Sequence, residues 1–326
     1  LAVGVFYLAD LTSGGVGGII NVMDASSQTS YVIETDNLTK VYGKKIVLDH
    51  VAMHVAKGDI YGFIGKNGAG KTTTIKSIMG IIEPEEGQIC FEKEDIRKTK
   101  VSIGYLPEER GLYVNAKVKD QLLYFAALNG MDRSEALEEI KKRLEEFEIA
   151  SYLNVKVKTL SKGNKQKIQL ITALAHDPAI VVLDEPFSGL DPVNAMLLKD
   201  VVKEEIGRGK IVLFSSHQMN YIEEFCDAIA ILNGGRIALT GDLREIKRQY
   251  PRDRLVVRSP ECGRIADEWR GPCSLTPEGD LLLTLAAPDQ KQAVMRALAA
   301  EYDIDEVRVF EPSLNDIFVE YAGDGI

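Results

Sequence analysis

Apolar residues along the chain fall into two rhythms. The first is short, uninterrupted aliphatic runs: Ile60-Tyr61-Gly62-Phe63-Ile64, Ile180-Val181-Val182-Leu183 and Ile211-Val212-Leu213-Phe214. Runs of this kind read as central strands of a parallel sheet, covered on both faces. Around them, Val51, Met53 and Val55 fall on one face of a strand within residues 47–55, as in a half-buried strand. Further strands are predicted at 88–92, 101–109 and 228–232, with turns at Gly80–Gly87 and at Asn233-Gly234-Gly235. The second rhythm is helical. Leu137, Ile140, Leu144 and Phe147 recur at helical spacing within residues 134–147, and the charges between them predict a solvated face. Residues 121–128 are mostly apolar and predict a buried helix; 165–176 predict another, led by Ser161 as N-cap and closed at Asp177-Pro178.

Three segments follow from this pattern. Residues 1–30 are rich in Gly, Ser and Thr in their second half and predict a flexible extension. Residues 31–250 alternate strand and helix, with a helical block at about 110–178 inserted among the strands. After Pro251 the basic residues change, with seven Arg and one Lys in 251–326. Strand, strand, helix and strand at 255–257, 281–285, 293–300 and 307–310 predict a small α+β appendage there. The fold class expected is α/β, with that second, smaller domain. A length of 326 residues suffices for both.

A net charge of −10 argues against a general nucleic-acid binder, whose footprint is basic. Cys90, Cys226, Cys262 and Cys273 show no metal-ligand spacing, so four free thiols are expected. The apolar run 1–9 stops at Asp10, short of the roughly 20 residues a membrane span needs, and no secretory signal is expected.

Chemistry concentrates at the ends of the buried runs. Gly65-Lys66-Asn67-Gly68-Ala69-Gly70-Lys71-Thr72 fits the G-x-x-x-x-G-K-[ST] phosphate loop, with a strand before it and a helix, beginning Thr73-Thr74, after it. Its glycines let successive N–H groups face one concavity, and the helix aims its positive end there. Lys71 adds a charge for the β- and γ-phosphates, and the Thr72 hydroxyl can ligate Mg²⁺. The run 180–183 ends in Asp184-Glu185-Pro186. Taken alone, those carboxylates read as a turn and helix cap. Beside a phosphate loop they read as a holder of Mg²⁺ (Asp184) and a general base for water (Glu185). A later strand delivers His217 to the same sheet edge. Tyr42 sits beside a hairpin-like Gly-Lys-Lys; an aromatic there can stack on an adenine, but spacing alone favours a half-buried core tyrosine.

Together with Leu160-Ser161-Lys162-Gly163-Asn164 and Ser188-Gly189-Leu190-Asp191, this set resembles the ATP-binding subunit of an ATP-binding cassette (ABC) transporter. The resemblance covers residues 31–250. The segment 105–113 and the C-terminal stretch ending Glu311-Pro312-Ser313-Leu314-Asn315-Asp316-Ile317-Phe318 are similar to the sodium-exporter-type branch and its accessory domain. The resemblance implies a P-loop ATPase with ATP and Mg²⁺ as ligands. It implies phosphate contacts from Gly65, Asn67, Gly68, Gly70, Lys71, Thr72 and Thr73, adenine stacking by Tyr42, and Glu185 as base. His217 would sense the γ-phosphate, Asp191 would lie in an inter-subunit loop, and Ser161 and Gly163 would touch the γ-phosphate held by a second copy. Glu108 stands where most of the family has a glutamine that senses Mg²⁺; a carboxylate would ligate the ion more strongly. Lys162 and Asn164 stand where Gly and Gln are commoner.

What the resemblance implies is a homodimer, or a pair with another ATPase subunit, closing head to tail on two ATP molecules at the cytoplasmic face of a membrane. It would drive separate transmembrane permease subunits, with sodium the solute by resemblance and drugs, lipids or polymers open beside it. The alternative from another class is a soluble ABC ATPase of DNA repair or translation; the coiled coils, zinc knuckles or second cassette usual there are not visible.

Overall fold

The structure is a computed structural model and describes residues 20–22, 31–108, 111–188, 190–276 and 278–322. A short strand, β1 (Ile20–Val22), precedes two long ones, β2 (Tyr31–Tyr42) and β3 (Lys45–Ala56). β4 (Ile60–Gly65) leads through the phosphate loop into α1 (Lys71–Ile78), followed by β5 (Glu86–Phe91), β6 (Glu94–Asp95) and β7 (Ile103–Leu106). Three helices come next: α2 (Val118–Leu128), α3 (Arg133–Glu146) and α4 (Lys162–Leu174). Then β8 (Ile180–Asp184), α5 (Pro192–Gly207), β9 (Ile211–Ser215), α6 (Met219–Phe225), β10 (Ala228–Asn233), β11 (Arg236–Asp242) and α7 (Leu243–Arg248). The remainder is β12 (Arg254–Arg258), α8 (Cys262–Glu268), β13 (Cys273–Leu275), β14 (Leu281–Thr284), α9 (Lys291–Glu301), β15 (Glu306–Val309) and α10 (Leu314–Ala322).

The main sheet has the order β1-β11-β10-β4-β9-β8-β7. β10, β4, β9, β8 and β7 pair in parallel, and β11 is antiparallel to β10. β4, β8 and β9 are buried along their whole length, as their aliphatic runs predict. Successive side chains point to opposite faces of a strand, so the same strands feed two cores. Ile60, Ile64, Val181, Leu183, Val212 and Phe214 pack against the helical block and α6. Tyr61, Phe63, Val182, Leu213 and Ala230 pack against α1 and the antiparallel sheet β3-β2-β5-β6. The helical block leaves the main sheet after β7 and returns at β8, which is β7's own neighbour.

Several sequence expectations change in detail. Residues 1–19 and 23–30 of the expected extension lie outside the described residues, while Ile20–Val22 pairs in parallel with Leu239–Gly241 of β11. In α2, Gln121, Leu122, Leu123 and Ala126 are buried, but Tyr124 and Leu128 are exposed, because these two share a face roughly 200° around the helix from Leu122 and Ala126. On α3, Arg143 is fully buried rather than solvated, bonded to Glu139, Glu146 and Glu205. The last segment builds a sheet of order β13-β14-β12-β15 over its own small core, including Leu255, Val257, Ile265, Leu281 and Leu298. α8, β13 and α10 were not predicted: α8 and β13 are short, and α10 packs elsewhere. All four cysteines are free thiols.

Candidate nucleotide site

The phosphate loop is shaped by backbone that only glycine tolerates. Gly70 has φ +110°, and a Cβ there would lie 2.8 Å from Leu48 Cδ2 and 3.0 Å from Val47 O. At Gly65 a Cβ would lie 2.7 Å from the Leu232 carbonyl, so β4 approaches β10 closely just before the loop turns. Gly70 caps α1 without any side-chain bond, which leaves the first N–H groups of the helix free for an anion. Lys71 Nζ donates to the carbonyl of Gly65 at 2.6 Å and folds back over the loop. Burial lowers the Lys71 pKa below its ordinary value, and the carboxylates of Glu185, Asp184 and Glu108 work against that shift.

Around this loop lies a cleft of about 670 Å³, lined by Val47, the loop from Gly65 to Thr73, Glu108, Asp184, Glu185, His217, Met219 and Phe318. The carboxylates arrive from β8 and its continuation. Asp184 is buried opposite Ser215 of β9, whose hydroxyl donates to it. Burial, and then the Asp184 charge, push the neighbouring Tyr105 phenol up to about 12. Glu185 holds left-handed backbone at φ +50°, a conformation that costs a side chain energy and persists only where the surroundings enforce it. Its N–H donates to Ser215 O at 3.0 Å. One carboxylate oxygen lies 2.8 Å from His217 Nδ1, and the other accepts from Ser216 Oγ at 3.2 Å. Ser216 Oγ also accepts from Gln218 N at 3.0 Å, which shapes the turn that carries His217.

Of the residues singled out in the sequence, Gly65, Asn67, Gly68, Gly70, Lys71, Thr72, Thr73, Glu108, Asp184, Glu185 and His217 line the one cleft. Tyr42, Ser161, Gly163 and Asp191 do not. Tyr42 ends β2, is 48% exposed rather than part of the core, and has Lys40 Nζ 5.4 Å from its ring centroid. Ser161 caps α4 by accepting from Asn164 N at 3.2 Å. Asp191 caps α5 by accepting from Asn194 N at 3.0 Å, and a Cβ on Gly163 would meet Asn194 Nδ2 at 3.2 Å. Those two helix starts therefore sit together, away from the chain's own cleft. Sequence reading missed Val47, Met219, Phe318 and the Ser215-Ser216 pair. The serines stand directly before His217 and were legible; Phe318 carries no local signal for this role.

Thr72, Asp184 and Glu108 present hard oxygen donors of the kind Mg²⁺ takes. Among the described residues no group of three or more His, Cys, Asp or Glu is arranged to hold a metal by itself.

A phosphate loop, a strand-end Asp-Glu pair and a histidine around one cleft, at the carboxyl edge of a parallel sheet, define a P-loop nucleoside triphosphatase. Residues 48–188 match the family described as ABC transporter, and residues 241–322 match the ATP-binding protein DrrA1-3-like C-terminal domain. An uncharacterized ABC transporter ATP-binding protein of Bacillus subtilis, YhaQ, is 40% identical over 294 residues, which is 90% of this chain and 99% of that protein. The bacitracin transport ATP-binding protein BcrA of Bacillus licheniformis is 32% identical over 314 residues, 91% of this chain and 99% of BcrA. A solved structure of the ATP-binding subunit of an ABC transporter superposes with TM-score 0.62 at 32% identity, covering 67% of this chain and 92% of that one. The chain belongs to the ABC transporter ATP-binding proteins; it binds ATP and is an ATPase. These relatives set aside an ATPase of DNA repair or translation. Subunits of this family work with transmembrane permease partners, and no described helix here is long and apolar enough to cross a membrane.

Proposed function

We propose that this chain powers an exporter from the cytoplasmic face of the membrane, as a homodimer whose two clefts each close on one ATP. The observation that carries the catalytic part is the Glu185–His217 contact of 2.8 Å across the cleft from Lys71. In this reading Lys71 and the loop amides hold the β- and γ-phosphates. Glu185 takes a proton from the attacking water, and His217 keeps the carboxylate oriented while reaching for the γ-phosphate. Thr72, Asp184 and Glu108 would hold Mg²⁺, which supplies charge neutralisation on the phosphates when bound.

Ser161, Gly163 and Asp191 serve the cleft of the second copy, which is consistent with their place outside this chain's own cleft. The permease contact lies on the helical block and the loop 108–113, of which residues 109 and 110 lie outside the described residues. Exposed Tyr113, Val114, Tyr124 and Leu128 support it, as does the packing of Tyr113 against Tyr124 at 5.9 Å between ring centroids. Sodium is the solute suggested by resemblance, and bacitracin the one suggested by the relative BcrA. Flux of radiolabelled sodium into inverted vesicles carrying the full transporter discriminates them.

Glu185→Gln tests the core of the reading. The amide keeps the size and an acceptor but cannot take a proton. Steady-state ATP turnover should fall by about a hundredfold or more, with ATP-dependent dimerisation retained. Unchanged turnover rejects Glu185 as the base.

A further inference from the structure

The terminal helix leaves the unit its sequence neighbours build. β12, β14 and β15 share their small core with Ile265 and Leu298. Leu314, Ile317 and Ala322 of α10 are instead buried in the large core, in the cluster that holds Ile60, Ile64, Ile222 and Ile229. Hydrogen bonds fix the helix there at both ends. Leu314 N donates to Glu223 of α6 at 3.1 Å, placing a carboxylate at the positive end of α10. Asn233, the last residue of β10, donates to Tyr321 O at 3.2 Å. Tyr250 OH donates to Glu320 at 2.7 Å. From this position Phe318 reaches the wall of the nucleotide cleft, in company with Met219 and His217.

α6 begins two residues after His217 and spans only seven residues, with no side-chain cap at its start. A helix so short is not stable by itself and takes its position from what packs on it. The His217 side chain is 61% exposed, so its reach depends on the entry to α6 and on its contact with Glu185. α10 packs on α6 and is bonded to it through Glu223. We propose that α10 is a positioning element of the ATP site: through Phe318, beside Met219 at the start of α6, and Glu223 farther along it, α10 holds that helix and so the distance from His217 to Glu185. The C-terminal segment is thereby wired to the hydrolysis step, because displacing α10 withdraws the wall on which the His217 turn rests.

The inference rests on hydrolysis by Glu185 and His217, so wild type and Glu185→Gln are measured first on the full chain. That comparison decides the underlying reading separately. The further test uses Phe318→Ala, Phe318→Leu, Glu223→Gln and Val319→Ala, the last at a neighbour on α10 that is 60% exposed. Phe318→Ala should lower kcat about tenfold, within the roughly hundredfold that a misplaced group can cost, and change KM for ATP by less than about threefold. ADP affinity should stay at the wild-type level, Phe318→Leu should recover most of kcat, and Val319→Ala should match wild type. A Phe318→Ala chain that binds ADP normally and turns over at the wild-type rate overturns the proposal. So does a rise in KM at constant kcat, or an equal loss in Val319→Ala. Should Phe318→Ala not fold, Glu223→Gln carries the same decision: a lowered kcat at unchanged ADP affinity supports the inference, and an unchanged kcat overturns it.

Discussion

Arg143→Met isolates the charge cluster that moors the helical block to the body of the ATPase. Arg143 on α3 is 0% exposed. Its guanidinium bonds Glu139 at 2.8 Å, Glu146 at 3.2 Å and, on α5, Glu205 at 2.7 Å. Met retains much of the volume and removes the charge. Removing one partner of a buried ion pair costs about 3–5 kcal/mol when the other charge is left alone. Glu205, itself 1% exposed, is not left alone: it keeps Lys210 and Arg208, the latter at 3.2 Å. Glu139 and Glu146 have side chains 26% and 23% exposed and can turn toward water. The expected loss is therefore about 2–3 kcal/mol, below the usual range for such a break.

The pH dependence has a fixed sign. Burial pushes the Glu205 carboxyl up, but Lys210 and Arg143 outweigh it and hold the group below the ordinary carboxylate value. A group held low in the folded state contributes stability that is full above its unfolded value and lost as pH falls through the folded one. The gap between wild type and variant should thus be largest near pH 7 and shrink once pH drops below about 4. Urea unfolding followed by far-UV circular dichroism at both pH values measures it, as a shift of midpoint at unchanged slope. A midpoint at pH 7 that does not move, or a gap that widens in acid, refutes the reasoning.

Gly70→Ala should weaken ATP binding at least about tenfold, since left-handed backbone at φ +110° costs a side chain about 1–3 kcal/mol even before the approach of Val47 O at 3.0 Å. Calorimetric titration with ATP checks it, and a wild-type dissociation constant refutes it. Tyr42→Ala should raise the dissociation constant for ATP about tenfold if its exposed ring stacks on the base, a contact worth about 1–3 kcal/mol, while Tyr42→Trp should keep it. Equal affinity in both would assign the base to another wall, such as that at Val47.

Much of the site was readable because its signals are local. The phosphate loop needs its glycines and its lysine at fixed spacing, since one short turn must aim several amides at one point. Asp184, Glu185 and His217 each follow directly on an aliphatic run, and the edge of a parallel sheet is where such runs end. The two faces of β4, β8 and β9 were legible for the same reason: alternation is a property of the strand itself. What the sequence could not carry was contact between distant segments. Nothing near Phe318 announces that α10 will abandon the small C-terminal core for α6 and β10. Nothing in an amphipathic helix marks Arg143 as the one charge turned inward, because Glu205, Arg208 and Lys210 lie on other elements. The left-handed Glu185 is likewise held by Ser215 at the end of the neighbouring strand and Ser216 just beyond it. Residue spacing alone thus determined which groups gather at the cleft; how they are held, and by which remote helix, was decided by packing, where partners far apart in the chain leave no short-range trace.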